Sequence, residues 1–181
     1  VFIVAAIAGG YLPGLVKEQI AGYALIFSAG VVVLNAGAGN LVLPFARRIN
    51  RPGTSRLLVA ALLLVVAGLL VAAAAAAFTQ PVLVLLASVV LGGAYGCCQI
   101  FGLLEVQRLA SPDHLAGLTA TYQAVTYVGF TASYPLAALG TLAPPSVILL
   151  GVAVLAAATL AWTVRAASAD VRRGPEGTVS T

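Results

Sequence analysis

The sequence predicts an all-α membrane protein built as a six-transmembrane-helix bundle. Of its 181 residues, 61% are hydrophobic and only 8% are charged. A soluble domain carries about 25% charged residues to cover its surface, so a water-soluble fold is excluded. The hydrophobic residues fall into six long, continuous runs, whereas the strands of a membrane β-barrel have about 10 residues and alternate in hydrophobicity. One helical crossing needs about 20 apolar residues, which fits six helical spans.

These six runs end at charged residues or at Gly and Pro. The first, residues 1–16, is too short for a full crossing. Because the chain also has no Met and opens on an apolar residue, we expect the sequence to be a fragment that begins inside a helix. The other predicted spans are residues 21–45, 57–78, 82–104, 116–142 and 146–164. The predicted bundle thus covers residues 1–166, and polar residues 167–181 are predicted to form a disordered cytoplasmic tail.

Proline and small residues predict local features within the spans. Proline lacks a backbone N–H and its ring collides with the carbonyl group four residues earlier, so we expect a kink or unwinding near Pro13 and near Pro135. Small residues at four-residue spacing permit close helix contacts. The fourth span carries Gly92 and Gly96, and the fifth carries Gly129, Ser133 and Ala137.

Basic residues predict the orientation of the bundle, because they collect on the cytoplasmic side of a membrane. In the six-span arrangement one face receives only Lys17, and the other receives eight arginines. These are Arg47, Arg48, Arg51, Arg56, Arg108, Arg165, Arg172 and Arg173. We therefore expect a multi-pass protein of the plasma (inner) membrane with both ends of the chain in the cytoplasm. Topology accounts for the basic charge, so no nucleic-acid partner is expected.

Uncharged polar residues at membrane depth are the candidates for a substrate path. An unpaired amide in hydrocarbon costs several kcal/mol, so such groups must face another helix, water or a ligand. Tyr95 and Gln99 are four residues apart, as are Gln123 and Tyr127, which places each pair on one helix face. The candidates are Asn35, Tyr95, Gln99, Tyr122, Gln123 and Tyr127. The alternative is that these groups bond only to one another, as packed membrane helices often do.

No catalytic arrangement stands out, so an intramembrane enzyme is the least favoured function. His114 lies in a predicted loop beside Asp113 without the neighbours of a metal site. The adjacent Cys97 and Cys98 are predicted to be small packing residues. We expect neither a metal nor a cofactor. No acidic residue lies mid-span, so a coupling proton would need a carboxylate outside these residues.

Two stretches place glycine and basic residues at the predicted cytoplasmic ends. Residues 39–56 read GNLVLPFARRINRPGTSR, and residues 102–130 read GLLEVQRLASPDHLAGLTATYQAVTYVGF. The first resembles the loop after the second helix of a six-helix half in the major facilitator superfamily of transporters. In that family the loop holds Gly, an Asp-Arg pair, a second Gly and further basic residues, and here Ala46 and Arg47 take the positions of the pair. The second is similar to the passage from the tenth to the eleventh helix of bacterial members.

The resemblance implies helices seven to twelve of a twelve-helix transporter. This chain would then work by alternating access against a missing N-terminal six-helix half, which would also hold any coupling proton. Glu105, with Arg108, Arg47 and Arg48, would form a cytoplasmic gate. A hydrophobic small molecule suits a path with few hydrogen-bonding groups, which favours efflux. The alternative is a non-catalytic membrane subunit that serves assembly or anchoring in the lipid bilayer.

Overall fold

The structure is a computed structural model that describes residues 2–16, 18, 20, 22–49, 56–111 and 113–172. Every regular element among these residues is helical, which confirms the all-α prediction. In chain order they are α1 (Phe2–Ala6), a π-helical turn (Ile7–Tyr11), α2 (Leu12–Leu15), α3 (Ala24–Ile49), α4 (Arg56–Phe78), α5 (Pro81–Leu109), α6 (Leu115–Val128), a 3-10 turn (Gly129–Ala132), α7 (Ser133–Leu139) and α8 (Pro145–Arg172).

Four of the helices, α3, α4, α5 and α8, are long and apolar enough to cross a membrane. They contain 26, 23, 29 and 28 residues and correspond to the second, third, fourth and sixth predicted spans. Large apolar side chains also cover the outside of the bundle; Leu25 is 85% exposed and Trp162 is 78% exposed. Helices that are apolar on their outer as well as their inner faces are typical of a membrane-embedded protein.

The first predicted span forms only a short apolar helix between Ile3 and Leu15. Its middle widens into the π-helical turn, where the N–H of Leu12 donates to the carbonyl of Ile7. This wider turn ends two residues before Pro13, which has no N–H to donate to a carbonyl four residues earlier. The distortion expected near Pro13 is therefore present.

The fifth predicted span is divided into α6, the 3-10 turn and α7, so it is a jointed helix and not one continuous crossing. Pro135 lies in the first turn of α7, and the residue four positions before it, Thr131, lies in the 3-10 turn. The ring of Pro135 would crowd that carbonyl in an unbroken α-helix. The unwinding predicted for Pro135 is confirmed, and it leaves four long spans where six were expected.

Helix α5 lies at the centre of the bundle and packs most extensively against α3 and α4, while α8 packs on the far side of α4. On α4, Leu57, Ala61, Val65 and Leu69 recur every four residues and are all buried. That spacing places them along one face, so their methyl groups form a continuous stripe within the core. The core is thus organised around α5, which carries the candidate polar residues of the fourth span.

Two glycines let α3 and α5 cross in close contact. A side chain on Gly92 would overlap the backbone of Asn35, and one on Gly96 would overlap the backbone of Gly39. The predicted close contact at Gly92 and Gly96 is confirmed. The second predicted pattern, Gly129, Ser133 and Ala137, spans the helical break and so does not form one helix face.

Three helices continue past their apolar runs at the end where most of the arginines lie. Helix α3 continues to Ile49, α5 to Leu109 and α8 to Arg172. The first six residues of the predicted disordered tail therefore belong to α8, and residues 173–181 lie outside the described residues. Hydropathy located the apolar part of each helix but not its end, because helix hydrogen bonding does not require apolar side chains.

Candidate functional site

A polar cluster joins α5 and α6. The Gln99 side-chain Nε2 of α5 donates a hydrogen bond to Gln123 Oε1 of α6 over 3.0 Å. These two residues are 24 positions apart in the chain, and both side chains are half-buried. The structure therefore brings together two of the predicted substrate-path residues, one from each helix.

Two tyrosines lie on the same side of this amide pair. Because α5 and α6 are consecutive and joined by a short loop, they run in opposite directions. Tyr95 precedes Gln99 by four residues and Tyr127 follows Gln123 by four, so both rings lie one helical turn farther from the loop. Each of the two phenols has an interaction partner, and Tyr127 is 58% exposed.

Tyr122 lies on the opposite side of the amide pair from these rings. Its hydroxyl fits against Gly102 so closely that a side chain at that position would overlap the phenol. Gly102 was not recognised as part of the site from the sequence, although its position three residues after Gln99 places it near the same face of α5.

Two oxygen atoms in the cluster are buried without a hydrogen-bond partner among the described residues. They are Gln99 Oε1 and the Tyr122 hydroxyl oxygen. A buried polar group that has lost water and gained no partner costs about 1–3 kcal/mol. The cluster therefore retains hydrogen-bonding capacity beyond the Gln99–Gln123 bond.

Helix α6 is the least embedded wall of this site. None of the described residues of α6 is buried, and Val125 and Val128 are 68% and 66% exposed. Its contacts with α5 are far fewer than those of α3 or α4, and the 3-10 turn that follows it packs mainly against α1. The polar face of α6 meets α5, while its apolar face points away from the bundle.

Asn35 does not belong to this cluster. Its Nδ2 donates to the backbone carbonyl of Ser88 on α5 over 3.1 Å, and the residue is only 8% exposed. This bond lies beside the close contact of Gly92 with the Asn35 backbone. The structure thus places Asn35 at the α3–α5 packing contact and apart from the other five candidates.

The predicted gate residues lie near the C-terminal ends of α3 and α5. Glu105 Oε1 accepts a hydrogen bond from Arg108 Nη2 over 2.8 Å, and their side chains are 38% and 53% exposed. An exposed pair at this spacing contributes less than about 1 kcal/mol. Arg48 is exposed, whereas the side chain of Arg47 and residues 50–55 of the adjoining loop lie outside the described residues.

Cys97 and Cys98 are both free and buried in α5, as expected of packing residues. Among the described residues, no group of three or more His, Cys, Asp or Glu side chains lies close enough together to hold a metal ion. No known family model, curated protein or solved structure matches this chain.

Proposed function

We propose that this chain is the C-terminal six-helix half of a transporter resembling the major facilitator superfamily. It would move a small molecule across the plasma (inner) membrane by alternating access, with efflux as the favoured direction. The observation that carries the proposal is the hydrogen bond from Gln99 to Gln123, beside which the Tyr122 hydroxyl packs against Gly102.

This cluster has the properties of a path for a weakly polar solute. Its two helices offer amide and phenol groups at membrane depth, and two of the oxygens have hydrogen-bonding capacity left over. Buried polar groups without partners are uncommon in packed proteins. Helices that served packing alone would pair these groups with one another, as Asn35 and the Ser88 carbonyl do.

The contrast between the two sides of α5 supports alternating access. On one side, α3 and α5 are in contact through Gly92 and Gly96 and would move as one body. On the other side, α6 is thinly packed and ends in the 3-10 turn before Pro135. Broken helices beside the substrate site are common in secondary transporters.

Both described chain ends would face the cytoplasm, since the arginine-rich helix ends lie together in a six-segment arrangement. The proposed partners are the lipid bilayer, the small-molecule substrate and an N-terminal six-helix half that would hold any coupling proton. At the cytoplasmic end, the Glu105–Arg108 pair would exchange partners with Arg47 and Arg48 as the gate opens and closes.

A double substitution tests the proposal. In the full-length protein, Gln99→Leu with Gln123→Leu removes the amide pair while keeping the volume of the side chains similar. We expect efflux of the neutral dye Nile red from preloaded cells to fall at least tenfold, with unchanged amounts of protein in the membrane. Asn40→Leu is the matched control, because the Asn40 amide donates only to the Ala36 carbonyl of its own helix.

The same assay separates the alternatives. Unchanged efflux in the double variant would assign the cluster to packing and favour an assembly or anchoring subunit. An intramembrane enzyme would instead convert an added compound into a product of different mass, which mass spectrometry of the medium detects.

A further inference from the structure

The unpaired atoms of the α5–α6 cluster restrict what can bind there. The amide nitrogen of Gln99 is committed to Gln123, which leaves Gln99 Oε1 buried and without a partner among the described residues. An amide oxygen only accepts hydrogen bonds. Whatever completes this group must therefore bring a hydrogen-bond donor.

The second unpaired atom is the Tyr122 hydroxyl oxygen, which is also buried. A phenol hydroxyl both donates and accepts. This hydroxyl lies against Gly102, which is three residues after Gln99, or about 4.5 Å along the axis of α5. Gln99 and the glycine that the Tyr122 hydroxyl contacts are thus within one helical turn of each other on α5.

The charge of the nearby side chains restricts the class of solute further. The side chains that form the cluster are amides and phenols, neither of which balances an ion. The first charged residue that follows on α5 is Glu105, six positions or about 9 Å beyond Gln99, and it is already paired with Arg108. An ion placed against the cluster would lose its hydration without a counter-charge. The preferred solute is neutral.

We infer that the cluster binds a neutral solute through a hydroxyl group, as in an alcohol or a phenol. The solute hydroxyl donates to Gln99 Oε1 and accepts from the Tyr122 hydroxyl, so one group completes both buried atoms. An ether or a ketone of the same shape cannot donate and would leave Gln99 Oε1 unpaired. This inference rests on the proposed function, because it names the chemistry that the proposed path would select.

Two probes that differ only at the oxygen test it. 1-Naphthol has a hydroxyl group, and 1-methoxynaphthalene has the same ring but no donor. Binding of each to the full-length protein in lipid nanodiscs is measured by equilibrium dialysis, with empty nanodiscs subtracted. We expect 1-naphthol to bind at least fivefold more tightly. In Gln99→Met this preference should fall below twofold, and in Tyr122→Phe the affinity for 1-naphthol should fall about fivefold.

A control variant and a check of folding accompany the binding measurement. Asn40→Leu should retain the full preference, since that amide bonds only within its own helix. Each variant is compared by size-exclusion chromatography and circular dichroism, and Tyr122→Phe removes a single atom, so it tests the site even where Gln99→Met does not fold.

Equal binding of the two probes by the unaltered protein would overturn the inference, and so would a preference that survives both substitutions. Equal binding is also the result expected where water alone completes the two oxygens. The proposed function has a separate readout. If Nile red efflux depends on Gln99 and Gln123 but 1-naphthol is not preferred, the proposed transport function is supported and the inference of hydroxyl binding is contradicted. If 1-naphthol is preferred but no efflux is seen, the inference of hydroxyl binding is supported and the proposed transport function is contradicted.

Discussion

Gly96 of α5 lies so close to Gly39 of α3 that a methyl group at position 96 would overlap the Gly39 carbonyl oxygen. The contact is between backbones, so neither helix can relieve the overlap by turning a side chain. Helix association in lipid depends on such close packing, because the hydrophobic effect does little between helices already surrounded by hydrocarbon. The α3–α5 pair therefore provides the rigid part of the bundle against which α6 is placed.

Gly96→Ala should destabilise the protein by about 1–3 kcal/mol, because the added methyl forces the two backbones apart. Thermal unfolding followed by fluorescence-detected size exclusion measures the change. Gly37→Ala is the matched control on α3, where a methyl group meets no other atom within 4 Å. That variant should be neutral or slightly more stable, and equal losses in the two variants would contradict the packing account.

Asn35→Ala removes the hydrogen bond to the Ser88 carbonyl. Side-chain hydrogen bonds between membrane helices contribute about 0.6 kcal/mol on average and up to about 1.7 kcal/mol, so a loss within that range is expected. Nile red efflux by the folded fraction should be retained. A variant as stable as the parent, but without efflux, would instead return Asn35 to the substrate path.

Gly102→Ala should disturb the binding site more than the fold. The added methyl overlaps the outer end of the Tyr122 side chain, which can move aside, so the expected stability change is below about 0.5 kcal/mol. Displacing the hydroxyl should weaken 1-naphthol binding severalfold in the dialysis assay. Gly117→Ala, at an open position on α6, supplies the comparison.

Pro135→Ala should allow α6 and α7 to form one continuous helix. A proline within a helix costs about 3 kcal/mol relative to alanine, and part of this cost is recovered where the backbone can become regular. We expect a higher unfolding temperature together with slower Nile red efflux, since the segment loses its flexible turn. Unchanged efflux in a more stable variant would show that the joint does not take part in transport.

Glu105→Gln should leave stability within about 1 kcal/mol of the parent, because the pair with Arg108 is exposed. Its effect on the proposed gate is measured by labelling of the native Cys97 and Cys98, which are buried in α5 beside Gln99. A shift in the labelling rate from the cytoplasmic side supports a gate at this end. Identical labelling rates with both proteins would show that Glu105 is only a solvated residue at the end of α5 and has no gating role.

Apolar runs and prolines are enough to locate the four long helices and the two distorted segments. Long apolar runs located α3, α4, α5 and α8 because a membrane helix must satisfy its backbone internally and present apolar side chains outward. Pro13 and Pro135 marked the two distorted segments, since a missing N–H is a property of the residue and not of its surroundings. Hydropathy alone predicted continuous first and fifth spans. Both are interrupted, because hydropathy does not record which backbone hydrogen bonds form.

Which polar groups meet is a property of the packed bundle and not of any single helix. Asn35 and Gln99 look alike in the sequence, as amides in apolar runs, yet one bonds to the Ser88 carbonyl and the other to Gln123. The partner of each depends on how α3, α5 and α6 are rotated against one another. That rotation is set by backbone contacts such as Gly96 against Gly39. The spacing of Gly92 and Gly96 predicts a close contact but not its partner, because Gly39 is distant in the chain.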